Sequence, residues 1–306
     1  NLIKNIKLNY KNSEISIICS EYNSHIARFY PEISNILILK SSILQFIFNY
    51  YNFFIKNKFD HIFQFDGKKK SYILGCIIRS NHKSCISYVK EKIFFNIRYI
   101  LKRPNFFYSI FYNHLIRCEE NLISATNKKY HYLSLYLEAL KKNHLKIYTN
   151  EHHLPFKGKP IPDFNGYIHL HIDERWIHFD FNFYKKILNF IENNLVDNKF
   201  YITSNLNSNT FFDNLENHFN DKKNKNIRFN SRANITELIN IIHNCKISIS
   251  NHTGFTIHVA ASFKKKIIDI VSPKKDLHYD RWVPLNIDYS RYDFDNFFSS
   301  FNFKNF

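Results

Sequence analysis

The sequence contains no methionine, and its 306 residues include only five glycines and five cysteines. At the average usage of about 7%, a chain of this length would carry roughly 21 glycines. The five present are Gly67, Gly75, Gly158, Gly166 and Gly254, and they are too far apart to assemble a G-x-G-x-x-G or a Walker A loop. Dehydrogenases and P-loop ATPases built on those loops are therefore not expected. The cysteines, Cys19, Cys76, Cys85, Cys118 and Cys245, are odd in number and contain no C-x-x-C pair. That pattern fits reduced thiols in a cytoplasmic protein, not a disulfide framework or a zinc site. The lack of an initial Met suggests a processed chain or a fragment. Residues 1–10 lack the apolar core of a signal peptide. The longest apolar run, Ile43–Ile55, is interrupted by Gln45, Asn49 and Asn52, and is too short and polar to span a bilayer. An amphipathic helix, packed in a core or lying on a membrane surface, fits it better.

What the chain does have is 32 Phe, 20 Tyr and a formal net charge of +17. Much of the Phe, Tyr, Ile, Asn and Lys usage matches an AT-rich codon bias. The uneven spread of charge does not follow from that bias. Residues 1–150 hold 23 Lys/Arg against 9 Asp/Glu, whereas residues 151–306 hold 20 against 17. The first half thus favours an anionic partner: a nucleic acid, an anionic membrane surface or a phosphorylated substrate. No RNA- or DNA-binding motif accompanies the charge, and the aromatics fall at core periodicity. Nucleic-acid binding is therefore the rival expectation, not the leading one.

Short β-type runs alternate with helical ones, which predicts parallel sheets with crossover helices. Strands are predicted at Ile15–Cys19, Ile36–Leu39 and His61–Phe65, and helices at Ser42–Lys56, Ser71–Ile78 and about Ile123–Lys142. Three of the seven prolines and two of the five glycines crowd into residues 151–166, the natural linker. After it the alternation restarts, with strands at Tyr167–Ile172, Phe200–Thr203, Lys246–Ser250 and Ile267–Val271. Helices are predicted at Asp180–Asn194, at Phe255–Ser262, and after the capping-box sequence Asn234-Ile-Thr-Glu237. Two α/β domains are expected, residues 1–150 and 167–306, with ligands held outside the carboxyl ends of strands and most naturally in a cleft between the domains.

The most informative stretch runs from Ser248 to Ser262, SISNHTGFTIHVAAS. A buried strand enters the turn Asn251-His252-Thr253-Gly254, and a helix opens at once. Backbone N–H groups at a helix start, reinforced by the helix dipole, suit an anion. His258 follows Gly254 by four residues and so stands one turn up on the same face.

This run, continued through Pro273, resembles the signature of glycosyltransferase family 9, the ADP-heptose–lipopolysaccharide heptosyltransferases. Thr253, Gly254, His258, Ala260, Ala261 and Pro273 match that signature. Asn226–Leu238 resembles the family's preceding segment. His169–Trp176 resembles the loop after the first strand of the second domain, with Arg175 before Trp176. Phe59–Ser71 resembles a segment of the acceptor domain. The resemblance implies a GT-B fold, with acceptor bound by the first of two Rossmann-like domains and nucleotide-sugar by the second. It implies inverting, metal-independent transfer from an ADP-heptose-like donor to an anionic glycolipid such as a lipopolysaccharide core. No cofactor or metal is implied. Thr253, Gly254, His258 and Arg175 become the expected diphosphate-binding residues, with His252 near the donor sugar. Asp66, Lys68, Lys69 and Lys70 become acceptor-binding candidates. The expected location is the cytoplasm, peripheral to the inner face of the bacterial inner membrane.

Two departures stand out. The family carries Asp immediately before Thr-Gly, where this chain has His252. The family's catalytic Asp lies in a G-D-x-x-x-x-x-P loop after its first strand, and no such motif occurs here. That strand and base are expected to be missing from this chain, so the catalytic residue is unknown. An inactive relative and a GT-B transferase with another donor are the alternatives. The DxD-like Asp293-Phe-Asp295 lies in the aromatic C-terminal stretch and reads as a chance match. His169 and His171 share one strand face, but nothing completes a metal site around them.

Overall fold

The computed structural model describes residues 2–40, 42–94, 97–119, 131–151, 154–172, 182–204, 210–221, 224–271, 283–301 and 303. The chain divides into two compact units, Asn1–Glu151 and, for the second, His152–Tyr279 with Val283–Phe306.

The first unit opens with α1 (Leu2–Asn9), β1 (Ile15–Cys19), α2 (Glu21–Ala27) and β2 (Ile33–Ile38). β1 and β2 form a parallel two-stranded sheet. α1 is held by its polar side chains. Buried Asn5 donates to the Thr149 carbonyl at 2.8 Å and accepts from the Tyr148 and Thr149 amides at 2.7 and 3.1 Å. One Asn thus satisfies backbone groups that burial would otherwise leave unpaired.

The helix expected over Ser42–Lys56 is two helices, α3 (Ile43–Asn49) and α4 (Tyr51–Lys56). They meet at Tyr50, whose non-helical backbone lets its phenol oxygen accept from the Ile38 amide at 3.1 Å. Then follow β3 (Phe59–Gln64), α5 (Lys69–Ile77), β4 (Ser80–Phe94), β5 (Ile97–Arg103), α6 (Phe106–Ser109), β6 (His114–Glu119) and α7 (Tyr132–Lys142). β4 pairs in parallel with β3 and β6, while its distal half forms an antiparallel arm with β5. Residues 123–130 of the expected helix over Ile123–Lys142 lie outside the described residues. β4, the longest strand, is absent from the sequence expectation. Its Ser, His, Lys and Cys positions dilute the apolar pattern, and pairing on both sides fixes the strand regardless.

The second unit contains β7 (Tyr167–Ile172), α8 (Asn182–Asn194), β8 (Lys199–Ser204), α9 (Thr210–Asp221), β9 (Ile227–Asn230), α10 (Ile235–Asn244), β10 (Ile247–Ser250), α11 (Gly254–Ser262), β11 (Lys266–Val271), β12 (Tyr289–Asp293) and α12 (Phe294–Ser300). Its six strands are all parallel, in the order β12-β11-β10-β7-β8-β9. Counted from β7 as the first strand, this is the doubly wound order 3-2-1-4-5-6. The capping box of α10 forms as its sequence predicts, with Asn234 and Glu237 bonding each other's backbone. Asp293 is the N-cap of α12, accepting from the Asn296 amide at 3.0 Å.

The period of two along each strand gives this sheet two different faces. Ile168, Leu170, Ile172, Ile202, Ile249, Ile268 and Ile270 point into one large apolar core with Phe residues of α8, α9 and α12. The opposite face carries His169, His171, Thr203, Ser248, Ser250 and Asp269, all buried. The segment read as a linker is fixed to α10. The Lys159 and Ile161 amides donate to Asn240 and Asn244, and Gly158 lies against His243, where a Cβ would clash.

Candidate functional site

The sheet order places a topological switch point between β7 and β10. From β7 the chain proceeds toward β8 and β9, then returns to β10 on the other side. In open parallel sheets, ligands bind outside the carboxyl ends of the strands at such a point. β10 leads there into the turn Asn251–Thr253 and then α11. Thr253 is the N-cap of α11 and makes no side-chain capping bond to the helix. Phosphate or another anion at such a start would meet the first-turn amides and the positive end of the dipole. A Cβ placed on Gly254 meets no atom of the described residues within 4 Å, so these do not demand glycine there. The open space stands directly over the helix start. His258 lies one turn on in α11 and is partly exposed.

His252 occupies the left-handed region at φ 44°, uncommon for a residue with a Cβ. Asp269 holds it there. Its Oδ1 accepts from the His252 amide at 2.8 Å, and its Oδ2 accepts from the His252 Nδ1–H at 2.6 Å. Asp269 is fully buried in mid-β11 and also accepts from the Tyr289 hydroxyl of β12. Arg291 Nε donates to that same phenol oxygen at 3.3 Å. Burial, and then the adjacent Asp269 charge, push the Tyr289 phenol pKa far above its usual value. It therefore stays a neutral donor. A buried carboxylate needs such partners, since leaving its charge unpaired would cost several kcal/mol.

A second polar chain runs beneath the switch point. His169 contacts Ser248 Oγ through Nδ1 at 3.0 Å and Thr203 Oγ1 through Nε2 at 2.9 Å, and His171 Nδ1 contacts the same Thr203 oxygen at 2.8 Å. Burial, and secondarily His171, drive the His169 pKa well below its ordinary value, so this imidazole is neutral. Among the described residues, no cluster of three or more His, Cys, Asp or Glu side chains could hold a metal ion.

The structure brings His252, Thr253, Gly254 and His258 together at one strand-to-helix junction. Arg175 and Trp176 lie outside the described residues. The acceptor candidates belong to the first unit. Asp66 follows β3, and its carboxylate accepts from the Lys68 amide and the Ser71 hydroxyl, each at 3.0 Å. Both bonds stabilise the turn into α5, a structural use that the sequence reading did not foresee. Lys68, Lys69 and Lys70 are exposed at the start of α5. Asp269, Tyr289 and Arg291 are absent from the sequence-based site. The signal for Asp269 was a lone carboxylate inside Ile267-Ile268-Asp269-Ile270-Val271, a run that is otherwise apolar and must be buried.

No protein-family profile and no curated protein matches the sequence. Solved structures do match in three dimensions. A glycosyl transferase family 9 protein from Veillonella parvula DSM 2008 superposes with a TM-score of 0.66 at 11% identity, covering 96% of this chain and 81% of its own. The E. coli ADP-heptose lps heptosyltransferase II gives 0.64 at 10% identity, with coverages of 95% and 84%. E. coli heptosyltransferase WaaC with ADP gives 0.60 at 10% identity, with coverages of 98% and 88%. At such identities the likeness establishes the fold: this chain has the α/β, GT-B fold of these structures.

Proposed function

We propose that this protein is a glycosyltransferase that moves a heptose or similar sugar from a nucleoside-diphosphate sugar to a lipopolysaccharide-core or related surface-glycan acceptor. The observation that carries the reading is the junction of β10 and α11. A helix start with open space over Gly254 lies at the switch point of a doubly wound sheet, on a chain with the fold of family 9 enzymes. Thr253, Gly254, His258 and Arg175 hold the donor diphosphate in this reading, and His252 lies near the donor sugar. Residues 1–150 bind the acceptor, with Asp66, Lys68, Lys69 and Lys70 as contacts for its anionic groups. Residues 167–306 bind the donor, and residues 151–166 join the two.

The reaction is inverting and needs no metal. The acceptor oxygen attacks the anomeric carbon, the bond from that carbon to the diphosphate oxygen breaks, and the acceptor proton passes to a base. Helix amides and the His258 and Arg175 side chains stabilise the negative charge on the departing diphosphate. No residue of this sequence is assigned the role of base. The protein works on the cytoplasmic side of a bacterial inner membrane and contacts that anionic surface peripherally. Among the described residues no helix is long and apolar enough to cross a membrane.

Thermal shift tests the reading. ADP or UDP should raise the melting temperature, and single- or double-stranded oligonucleotides should not. Stabilisation by oligonucleotides alone would overturn the proposal in favour of nucleic-acid binding, the rival suggested by the +17 charge.

A further inference from the structure

Surface helices normally turn a polar face to water, and one apolar on every side is normally buried. α3 and α4 expose the polar Gln45, Asn49 and Asn52 but also leave an apolar stripe in water beside them. Their inner face, with Phe46, Ile47, Phe53 and Phe54, packs against Leu74 and Ile78 around α5. Their outer face is a stripe at helical spacing, Leu44, Phe48, Tyr51 and Ile55, exposed by 80%, 84%, 56% and 58%. The same helical layer continues through α5. Its Tyr72 lies beside Tyr108 of α6, with ring centroids 6.5 Å apart, and both belong to one further core cluster. α5 exposes Ile77, and α6 with its C-terminal extension exposes Phe106, Phe107, Ile110 and Phe111. Each of the four helices α3, α4, α5 and α6 therefore carries exposed apolar side chains.

The charges around them are predominantly basic. Between Ile33 and Cys118 the sequence has 14 Lys/Arg and only three acidic residues, Asp60, Asp66 and Glu91. Lys40, Lys56 and Lys58 bracket the first stripe, Lys102 and Arg103 precede α6, and all five are exposed. A second copy of this face would bring like charges together. An anionic bilayer offers both counterparts at once, acyl chains for the aromatic and aliphatic tips and lipid phosphates for the ammonium and guanidinium groups.

We propose that the outer face of α3, α4 and α6 is the surface by which this protein seats on an anionic membrane, with Leu44, Phe48, Phe106 and Phe107 entering the headgroup boundary. The inference sharpens the peripheral contact of the proposed function and rests on that reading for the choice of a bilayer. The test is flotation of the full chain with phosphatidylcholine vesicles, with and without phosphatidylglycerol. The parent should bind the mixed vesicles, bind neutral ones much more weakly, and be released by salt. Leu44→Ser with Phe48→Ser, and separately Phe106→Ser with Phe107→Ser, should each lower partitioning about tenfold or more. Lys56→Gln and Lys58→Gln should each lower it about fivefold. Val196→Ser, which alters an equally exposed side chain of the second unit, should change nothing. Unchanged urea transitions would confirm that the variants are folded. The surface assignment fails if the serine variants bind like the parent, or if the parent binds neutral and anionic vesicles alike. It also fails if the parent sediments as a dimer that Leu44→Ser/Phe48→Ser dissociates, since the face then belongs to a second copy. Vesicle binding that fails while ADP still binds removes this surface and leaves the transferase reading. Vesicle binding without nucleotide binding does the reverse.

Discussion

His252 and Asp269, 17 residues apart, form one unit: the carboxylate accepts both the backbone amide and the ring N–H of the histidine. The register of the sheet places this pair. Asp269 stands opposite Ser250 of β10, two residues before His252, and opposite Arg291 of β12. Where the family carries an aspartate before Thr-Gly, this chain has a histidine tied to a buried aspartate.

Asp269→Asn should destabilise the protein by about 1–3 kcal/mol, the cost of leaving a buried hydrogen-bonding group without its partner. His252→Asp should cost at least as much because two carboxylates would then face each other. Urea midpoints measure both. A His252→Asp variant as stable as the parent would mean that Asp269 does not depend on the imidazole.

Nucleoside diphosphate binding should report the junction. His258→Ala and Arg175→Ala should each weaken ADP binding about tenfold, the loss of one charge-assisted hydrogen bond. Gly254→Val should weaken it more, by filling the open space over the helix start. Lys246→Ala is the control and should leave binding unchanged, since Lys246 bonds Asn198 at the opposite end of β10. Calorimetry showing parent-like affinity for both His258→Ala and Arg175→Ala would relocate the site.

Stability should fall as the medium is acidified below about pH 6.5. His169 is neutral in the folded protein, its pKa held well below 6.5 by burial, whereas in the unfolded chain it takes up a proton near 6.5. The unfolded state then binds more protons, so the contribution present above pH 6.5 is lost below it, by up to about 1.4 kcal/mol per pH unit. Urea unfolding of the parent and of His169→Gln between pH 7.5 and 5.5 checks this, the range bracketing the ordinary histidine pKa of about 6.5. The variant should show the shallower dependence.

Gly75 should not tolerate alanine although it lies within α5, where alanine is ordinarily the better helix former. A Cβ there would stand 2.0 Å from the Tyr112 hydroxyl and 2.8 Å from Gln64 Oε1. Gly75→Ala should cost about 1–3 kcal/mol by overpacking. Tyr112→Phe should recover part of that cost in the double variant, because it removes the hydroxyl that collides.

The sequence by itself determined part of the second unit, though not α9, β9, β12 or α12. β7 forms at its expected residues, β10 and β11 within one residue of theirs, and the Asn234–Glu237 capping box as drawn, because local pattern and buried environment agree there. The helix start at Gly254 was legible for the same reason. Tertiary structure alone decided the rest. β4 owes its length to partners on both sides. Asp66 turned out to bond the start of α5, because its carboxylate folds back on its own loop. Asp269 looked like an oddity in an apolar strand until sheet order put it between β10 and β12, under His252. Partners distant in sequence satisfy a buried charge, and no spacing rule along the chain reports which strands will be neighbours.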